Sequence, residues 1–282
     1  MDSSKSNHNE LSAAVLYGVD FVREQLEGKT IAVLTGAGLS TDSGIPDYRG
    51  AGRTPKHPMT FENFMGSKEA QVRYWARSFV GWSRIAQAKP NQGHYALARA
   101  ENAGIVSAII TQNVDGLHQA AGAESVIDLH GRLDRVKCLS CSLILSRSHM
   151  DELLQALNPT VKKSVDFEFT PDGDAEVEAS KDFLVPSCPT CGGILKPDVV
   201  FFGESVPLDL VEHAMAFVDS ADAMLVAGTS LAVNSGMRFV RRAAKAQKPV
   251  FIVNLGPTKA DDLATAKIEA NTSQALERLF HA

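Results

Sequence analysis

Five short apolar runs, residues 30–35, 106–111, 126–129, 223–228 and 250–254, constrain this chain more than any other feature. None alternates apolar with polar as a strand with one solvated face would, so each reads as a strand buried on both faces of a parallel sheet. Helical spacing fills the intervals, with Leu11, Val15, Val22 and Leu26 before the first run and Leu208, Val211, Met215 and Val218 before the fourth. Strands alternating with helices specify an α/β fold: a Rossmann-like parallel sheet with helices on both faces.

Two regions break the rhythm. Between Gly50 and about Gln92 no strand-like run occurs, and the stretch from Phe61 to Ile85, rich in aromatics and arginine, reads as helical. Between Cys138 and about Lys196 cysteine pairs stand at both ends of an acidic middle, Asp166 to Asp182, expected as a solvated loop. The expected organisation is a discontinuous Rossmann-like domain of residues 1–49, 93–132 and 198–282. A helical insertion over 50–92 and a zinc-binding small domain over 133–197 complete it.

The cysteines are four in 282 residues, spaced Cys138-x-x-Cys141 and Cys188-x-x-Cys191. Two close pairs can present four thiolates to one tetrahedral zinc, and with every position taken by protein such a metal is structural. A redox role is the competing reading of each pair. The wide separation of the pairs requires an insertion to loop out between them.

Net charge is −5, from 28 Lys+Arg against 33 Asp+Glu, so no overall field draws the chain to nucleic acid or an anionic membrane. The first residues contain no apolar signal segment, and no apolar run approaches the roughly 18 residues of a membrane span. A cytoplasmic location is expected, without nucleic-acid or membrane partners. Nothing fixes the oligomeric state, and a monomer is the expectation.

Polar residues gather where the runs end. The first opens into Gly36-Ala37-Gly38-Leu39-Ser40-Thr41, whose small residues let backbone N–H groups approach a diphosphate, aided by the N-terminus of a following helix. The third glycine of the ordinary dinucleotide fingerprint is replaced by Thr41, and no acidic residue ends a second strand at the usual distance, which weakens a dehydrogenase reading. After the second run come Gln112, Asn113, Asp115 and His118; after the third, His130 and Gly131; after the fourth and fifth, Gly228-Thr229-Ser230 and Asn254-Leu255-Gly256. His118 is taken as a structural hydrogen-bonder. His130, between a buried strand and a glycine, is taken as a base.

Together these motifs resemble the sirtuins, NAD-dependent protein lysine deacylases. Gly36-Ala37-Gly38-x-Ser40 through Pro46-Asp47-Tyr48-Arg49, Gln112-Asn113-x-Asp115, His130-Gly131, both cysteine pairs, Phe202-Gly203-Glu204, Gly228-Thr229-Ser230 and Asn254 stand in the family's order. The resemblance runs from about Val19 to Leu279. Arg73-Tyr74-Trp75-Ala76-Arg77, Val80-Gly81-Trp82, Lys196-Pro197-Asp198 and Gly256-Pro257-Thr258 are similar to the class II, sirtuin-four-like branch.

The resemblance implies that NAD is cosubstrate and one zinc per chain is structural. Gly36, Ala37 and Gly38 would cradle the diphosphate, with Asp47, Tyr48 and Arg49 in a loop that orders around NAD. Gln112, Asn113 and Asp115 would line the nicotinamide-ribose pocket, and Gly228, Thr229, Ser230, Asn254, Gly256 and Thr272 the adenosine side. His130 would be general base, with Asn113 and Asp115 as its catalytic companions. Acyl-lysine of a protein would enter along Val200, Phe202, Gly203 and Glu204, and leave as free lysine, with nicotinamide and O-acyl-ADP-ribose as the other products. Tyr74 and Arg77, one helical turn apart, match the Tyr-x-x-Arg spacing by which some sirtuins hold acidic acyl groups; packing within the helical insert is the other reading. Mono-ADP-ribosyl transfer, which cleaves the same glycosidic bond, stays open as an alternative, as does an NAD-sensing or protein-binding module.

Overall fold

The structure, a computed structural model, describes residues 11–48, 59–161 and 182–281. In chain order the elements begin with α1 (Ala13–Leu26) and β1 (Ile31–Thr35), then α2 (Phe61–Gly66), α3 (Lys68–Gln87), α4 (Gln92–Asn102) and β2 (Val106–Thr111). There follow α5 (Leu117–Ala120), β3 (Val126–Asp128), β4 (Gly131–Cys138), β5 (Ile144–Ser146), α6 (Arg147–Leu157) and β6 (Leu195–Val199). The chain finishes with α7 (Leu208–Ser220), β7 (Ala223–Ala227), α8 (Asn234–Lys245), β8 (Val250–Val253), β9 (Ala266–Ile268) and α9 (Thr272–Leu279).

Six strands form one parallel sheet in the order β3-β2-β1-β7-β8-β9. With the three strands of the small domain set aside, this is the 3-2-1-4-5-6 order of the doubly wound dinucleotide fold. The apolar runs follow from its two covered faces. Along β1, Ile31 and Val33 join the core built with α1, α4 and α9, while Ala32 and Leu34 join the core built with α7 and α8. All five strand runs expected from sequence are found. The sixth strand, β9, gives no such run because its three residues, Ala-Lys-Ile, lie at the sheet edge and include a lysine.

The second sheet is antiparallel, in the order β5-β4-β6. Its core mixes the two interruptions: Phe64, Tyr74, Trp75 and Phe79 of the helical insert pack with Val136, Met150, Leu154 and Leu195. Arg147, 2% exposed, fastens the two by donating to the Ser78 carbonyl and pairing with Asp151, its guanidinium over the rings of Trp75 and Trp82. The acidic stretch expected as a loop lies outside the described residues except Asp182. Among the described residues, no helix is long and apolar enough to cross a membrane.

Candidate active site

The strand order reverses between β1 and β7, and ligands of open α/β sheets bind at the carboxyl ends of strands flanking such a point. Here the two strands end in loops that touch. The Gly38 N–H donates to the Gly228 carbonyl at 2.8 Å, and a Cβ added at Gly228, whose φ is +66°, would lie 2.4 Å from the Leu39 nitrogen. A Cβ at Gly36 would lie 2.6 Å from that of Thr229. These glycines are required first by the contact of one loop with the other. Gly36-Ala37-Gly38 does not lead into an α-helix, contrary to the expectation from sequence. Two 3-10 turns, Ala37–Leu39 and Thr41–Ser43, follow, and the left-handed Gly44 before Pro46 ends the second. No α-helix dipole therefore points at this loop from its own chain continuation.

Asn113 and Asp115 reach this loop from the end of β2. The Asn113 side chain donates to the Gly36 carbonyl (3.1 Å) and the Ser40 hydroxyl (3.0 Å), and Ser40 donates to Asp115 Oδ2 (2.7 Å). Asp115 Oδ1 accepts from the Leu117 N–H at 2.9 Å. Burial pushes the Asp115 carboxyl above the ordinary carboxylate range, opposed by these hydrogen bonds and the Arg132 charge. Gln112 crosses to the other loop, its amide donating to Thr229 Oγ1 at 3.0 Å.

His130 stands beside them after β3. Its Nδ1 lies 2.9 Å from the Gln112 carbonyl, which can only accept, so Nδ1 carries the proton and Nε2 the lone pair. Nε2 faces the Ser235 hydroxyl at 2.9 Å, near the start of α8. Burial pushes the His130 pKa below the ordinary histidine value, against the Gln112 bond that raises it. At neutral pH the ring is a fixed, uncharged base with Nε2 available.

On the far side of the reversal, Asn254 donates to the carbonyls of Leu255 and Gly256, shaping the turn after β8. Thr272, buried, opens α9, whose cap Asn271 donates to Asp42 of the second 3-10 turn. Ser230 accepts from the Lys259 N–H through its carbonyl. Asp47 and Tyr48 are half-buried, and Arg49 lies outside the described residues.

The segment after β6 is tied to the same place, since the Val200 N–H donates to the His130 carbonyl at 2.8 Å. Glu204 folds back on it. Its carboxylate accepts from the Phe201 N–H (2.9 Å) and pairs with Lys196 (3.0 Å), a buried lysine 4.6 Å from the Phe201 ring. Phe202 is exposed, edge-on to Tyr48 at 6.1 Å, and Gly203 turns left-handed at φ +81°. Tyr74 is 1% exposed among Phe64, Trp75 and Phe201, one helical turn from the half-buried Arg77.

The four cysteines gather in the small domain, every Sγ within 4.8 Å of the others. Cys138 and Cys191 Sγ are 3.5 Å apart, Cys141 and Cys188 3.7 Å. A zinc with Zn–S bonds near 2.3 Å separates tetrahedral sulfurs by about 3.8 Å, so this set fits that ion. A Cβ on Gly193 would strike Ser140 and lie 3.0 Å from Cys138 Sγ, which explains the glycine beside the second pair.

Ser40 and Ser235 complete the site, and neither is a candidate from sequence reasoning. Ser40 stands inside the motif after β1. Ser235 has no local signal, its contact with His130 spanning 105 residues.

Comparison with known proteins places the chain in a family. Residues 36–235 match the Sir2 family. An "NAD-dependent protein deacetylase" of Xanthomonas campestris pv. campestris (strain 8004) is 52% identical over 249 residues, covering 86% of this chain and 84% of that protein. "NAD-dependent protein deacetylase 1" of Mycobacterium avium (strain 104) is 50% identical over 258 residues, 90% of this chain and 92% of its own. Among solved structures, "Sir2-p53 peptide-NAD+" superposes with a TM-score of 0.74 at 32% identity, covering 92% of this chain and 95% of its own. With the matched stretch running from the loop after β1 to the serine facing His130, the chain belongs to the Sir2 family.

Proposed function

We propose that this protein is an NAD-dependent protein lysine deacylase. The observation that carries the reading is the His130 ring, held neutral with its lone pair on Nε2 within the crevice that Asn113, Asp115 and Ser40 line. In this reading the acyl oxygen of the substrate lysine attacks the ribose carbon as nicotinamide departs. His130 Nε2 then takes the proton of a ribose hydroxyl, the position now facing Ser235. Asn113 and Asp115 hold the ribose and the departing amide. The peptide adds as a strand between the segment ending at Glu204 and the one after Ser230, reading backbone more than sequence. Consumption of one water balances release of nicotinamide, free lysine and O-acyl-ADP-ribose. Thr229, Ser230, Asn254 and Thr272 serve the adenosine half, and the four cysteines hold a structural zinc outside the chemistry.

The cytoplasm is the proposed location and a monomer the proposed state. Arg77 and Tyr74 give the finer reading that acidic acyl chains are accepted.

Mass spectrometry of purified protein with NAD and acetyl-, succinyl- and glutaryl-lysine peptides tests the function. Wild type should release nicotinamide and O-acyl-ADP-ribose, and His130→Ala should lower turnover by about 10²–10⁴-fold. Transfer of ADP-ribose to protein with no deacylation would replace the reading.

A further inference from the structure

Two buried histidines behind the crevice take no part in the reaction described. His94, 0% exposed, lies in the first turn of α4; His118, 1% exposed, lies in α5. Their rings stand edge-on, 5.0 Å between centroids. Among the described residues each has one nitrogen with a partner and one without: His94 Nε2 and His118 Nδ1 are buried and make no hydrogen bond there.

The partnered atoms decide where the protons sit. His94 Nδ1 accepts from the Asn91 N–H (3.3 Å), so its proton is on Nε2. His118 Nε2 lies 2.9 Å from Thr35 Oγ1, which donates to Thr111 Oγ1 at 2.9 Å; Thr111 Oγ1 accepts the Asn113 N–H at 3.1 Å. With its own hydrogen given to Thr111, Thr35 must accept from His118 Nε2–H. The two unpartnered atoms are then a donor on His94 and an acceptor on His118. The opposite polarity would set two unpartnered donors in the same buried place, which is the costlier arrangement.

Two hydrogen-bonded runs meet at this ring contact, and each has an outer end. At one end Asn91, capping α4, donates to the Leu39 carbonyl (2.7 Å) and to Ser43 Oγ (3.1 Å) in the loop after β1. At the other, Asn113 holds Gly36 and Ser40 in the same loop. We propose that His94 and His118 are positioning residues for the nicotinamide-ribose end of the NAD site, a neutral pair, both protonated on Nε2, that fixes the loop after β1 against the end of β2. This rests on the NAD-dependent reading above. Burial supports neutrality, lowering His94 to about 4 and His118 well below its ordinary value.

The test pairs a spectroscopic readout with a substitution series. Long-range ¹H–¹⁵N correlation of the imidazoles from pH 5 to 8 should show His94 and His118 protonated on Nε2 and unchanging, and His130 protonated on Nδ1. A proton on Nδ1 of His94 or His118, or titration of either in that range, overturns the pair. His118→Phe should raise KM for NAD about tenfold with little change in KM for peptide, the size of effect one lost buried hydrogen bond supports. His118→Gln, which restores a donor toward Thr35, should recover most of it. Equal loss in both variants, or a loss of thermal stability without any change in KM for NAD, also overturns the proposal. If wild type fails to bind NAD, the functional reading falls, and the imidazole spectra still decide the protonation pattern.

Discussion

The large sheet and the small domain are held together by different means. Around the large sheet, two continuous apolar cores on opposite faces bury every residue of β1, β7 and β8, and the site is a by-product of where those strands end. The small domain has one core shared with the helical insert, two antiparallel pairings and four sulfurs within 4.8 Å. A domain of that size buries a smaller fraction of its surface and leans on metal ligation. The site divides along the same line: the strand ends of the large sheet carry His130 and the loops that meet at Gly38 and Gly228, and the small domain anchors the Val200–Glu204 segment through β6 and Lys196.

The largest expected effect breaks that division open. Structural zinc contributes on the order of 10–16 kcal/mol of binding free energy to the folding of small metal domains. Chelation, or Cys141→Ser, should therefore abolish deacylation and strip hydrogen-exchange protection from β4, β5 and β6, while β1, β2, β7 and β8 keep theirs. Uniform loss of protection would show that the two regions do not differ in the way described.

The next effect attacks the large sheet at its tightest point. Gly228→Ala places a methyl against the backbone of Gly38 and Leu39 at a positive φ. The expected cost is about 2–4 kcal/mol of stability together with weaker NAD binding. Chemical denaturation and calorimetric titration measure the two separately. Full stability in this variant would mean that the loops are free to part.

Legibility from sequence follows the same boundary. The five apolar runs can be read because a strand covered on both faces must be apolar throughout, whereas β9, three residues at the sheet edge, has no such requirement. The cysteine pairs are legible since four thiolates at that spacing have few other uses. Residue types and strand-end positions indicate a polar crevice with His130 as a base, and the resemblance to the sirtuins adds the roles proposed for Asn113 and Asp115. Ser235 and the His94–His118 pair are not legible as partners. Their contacts join positions distant in the chain, and the direction of a hydrogen bond depends on which neighbour has already given up its proton. The helix expected after Gly38 fails because the loop turns back to meet Gly228 instead of starting a new element.

An effect of similar size distinguishes the large sheet by pH. His94 is held at about 4 by burial, below its unfolded value near 6.5, so the folded protein binds fewer protons than the unfolded chain between those values. The contribution is complete above pH 6.5 and is lost as pH falls toward 4, a decline on the order of 3 kcal/mol. Urea midpoints across that window should fall, and His94→Gln should flatten the slope. An unchanged slope in the variant would assign the acid sensitivity to other groups.

The smallest effect probes α3, whose apolar face lies in the core that the helical insert shares with the small domain. Tyr74 is enclosed by aromatic rings of the small-domain core, whereas Arg77, one turn further along α3, is only half-buried. If the acidic-acyl reading is right, a guanidinium within reach of the acyl terminus should favour succinyl and glutaryl over acetyl by about 1 kcal/mol, roughly fivefold in kcat/KM, for a pair still open to water. Arg77→Ala should then remove that preference and spare acetyl turnover, with Arg77→Lys intermediate because a point charge replaces a planar fork. Equal losses on all three acyl chains would instead place Arg77 with Tyr74 as packing of the helical insert, and acyl choice would have to be set elsewhere along the Val200–Glu204 segment.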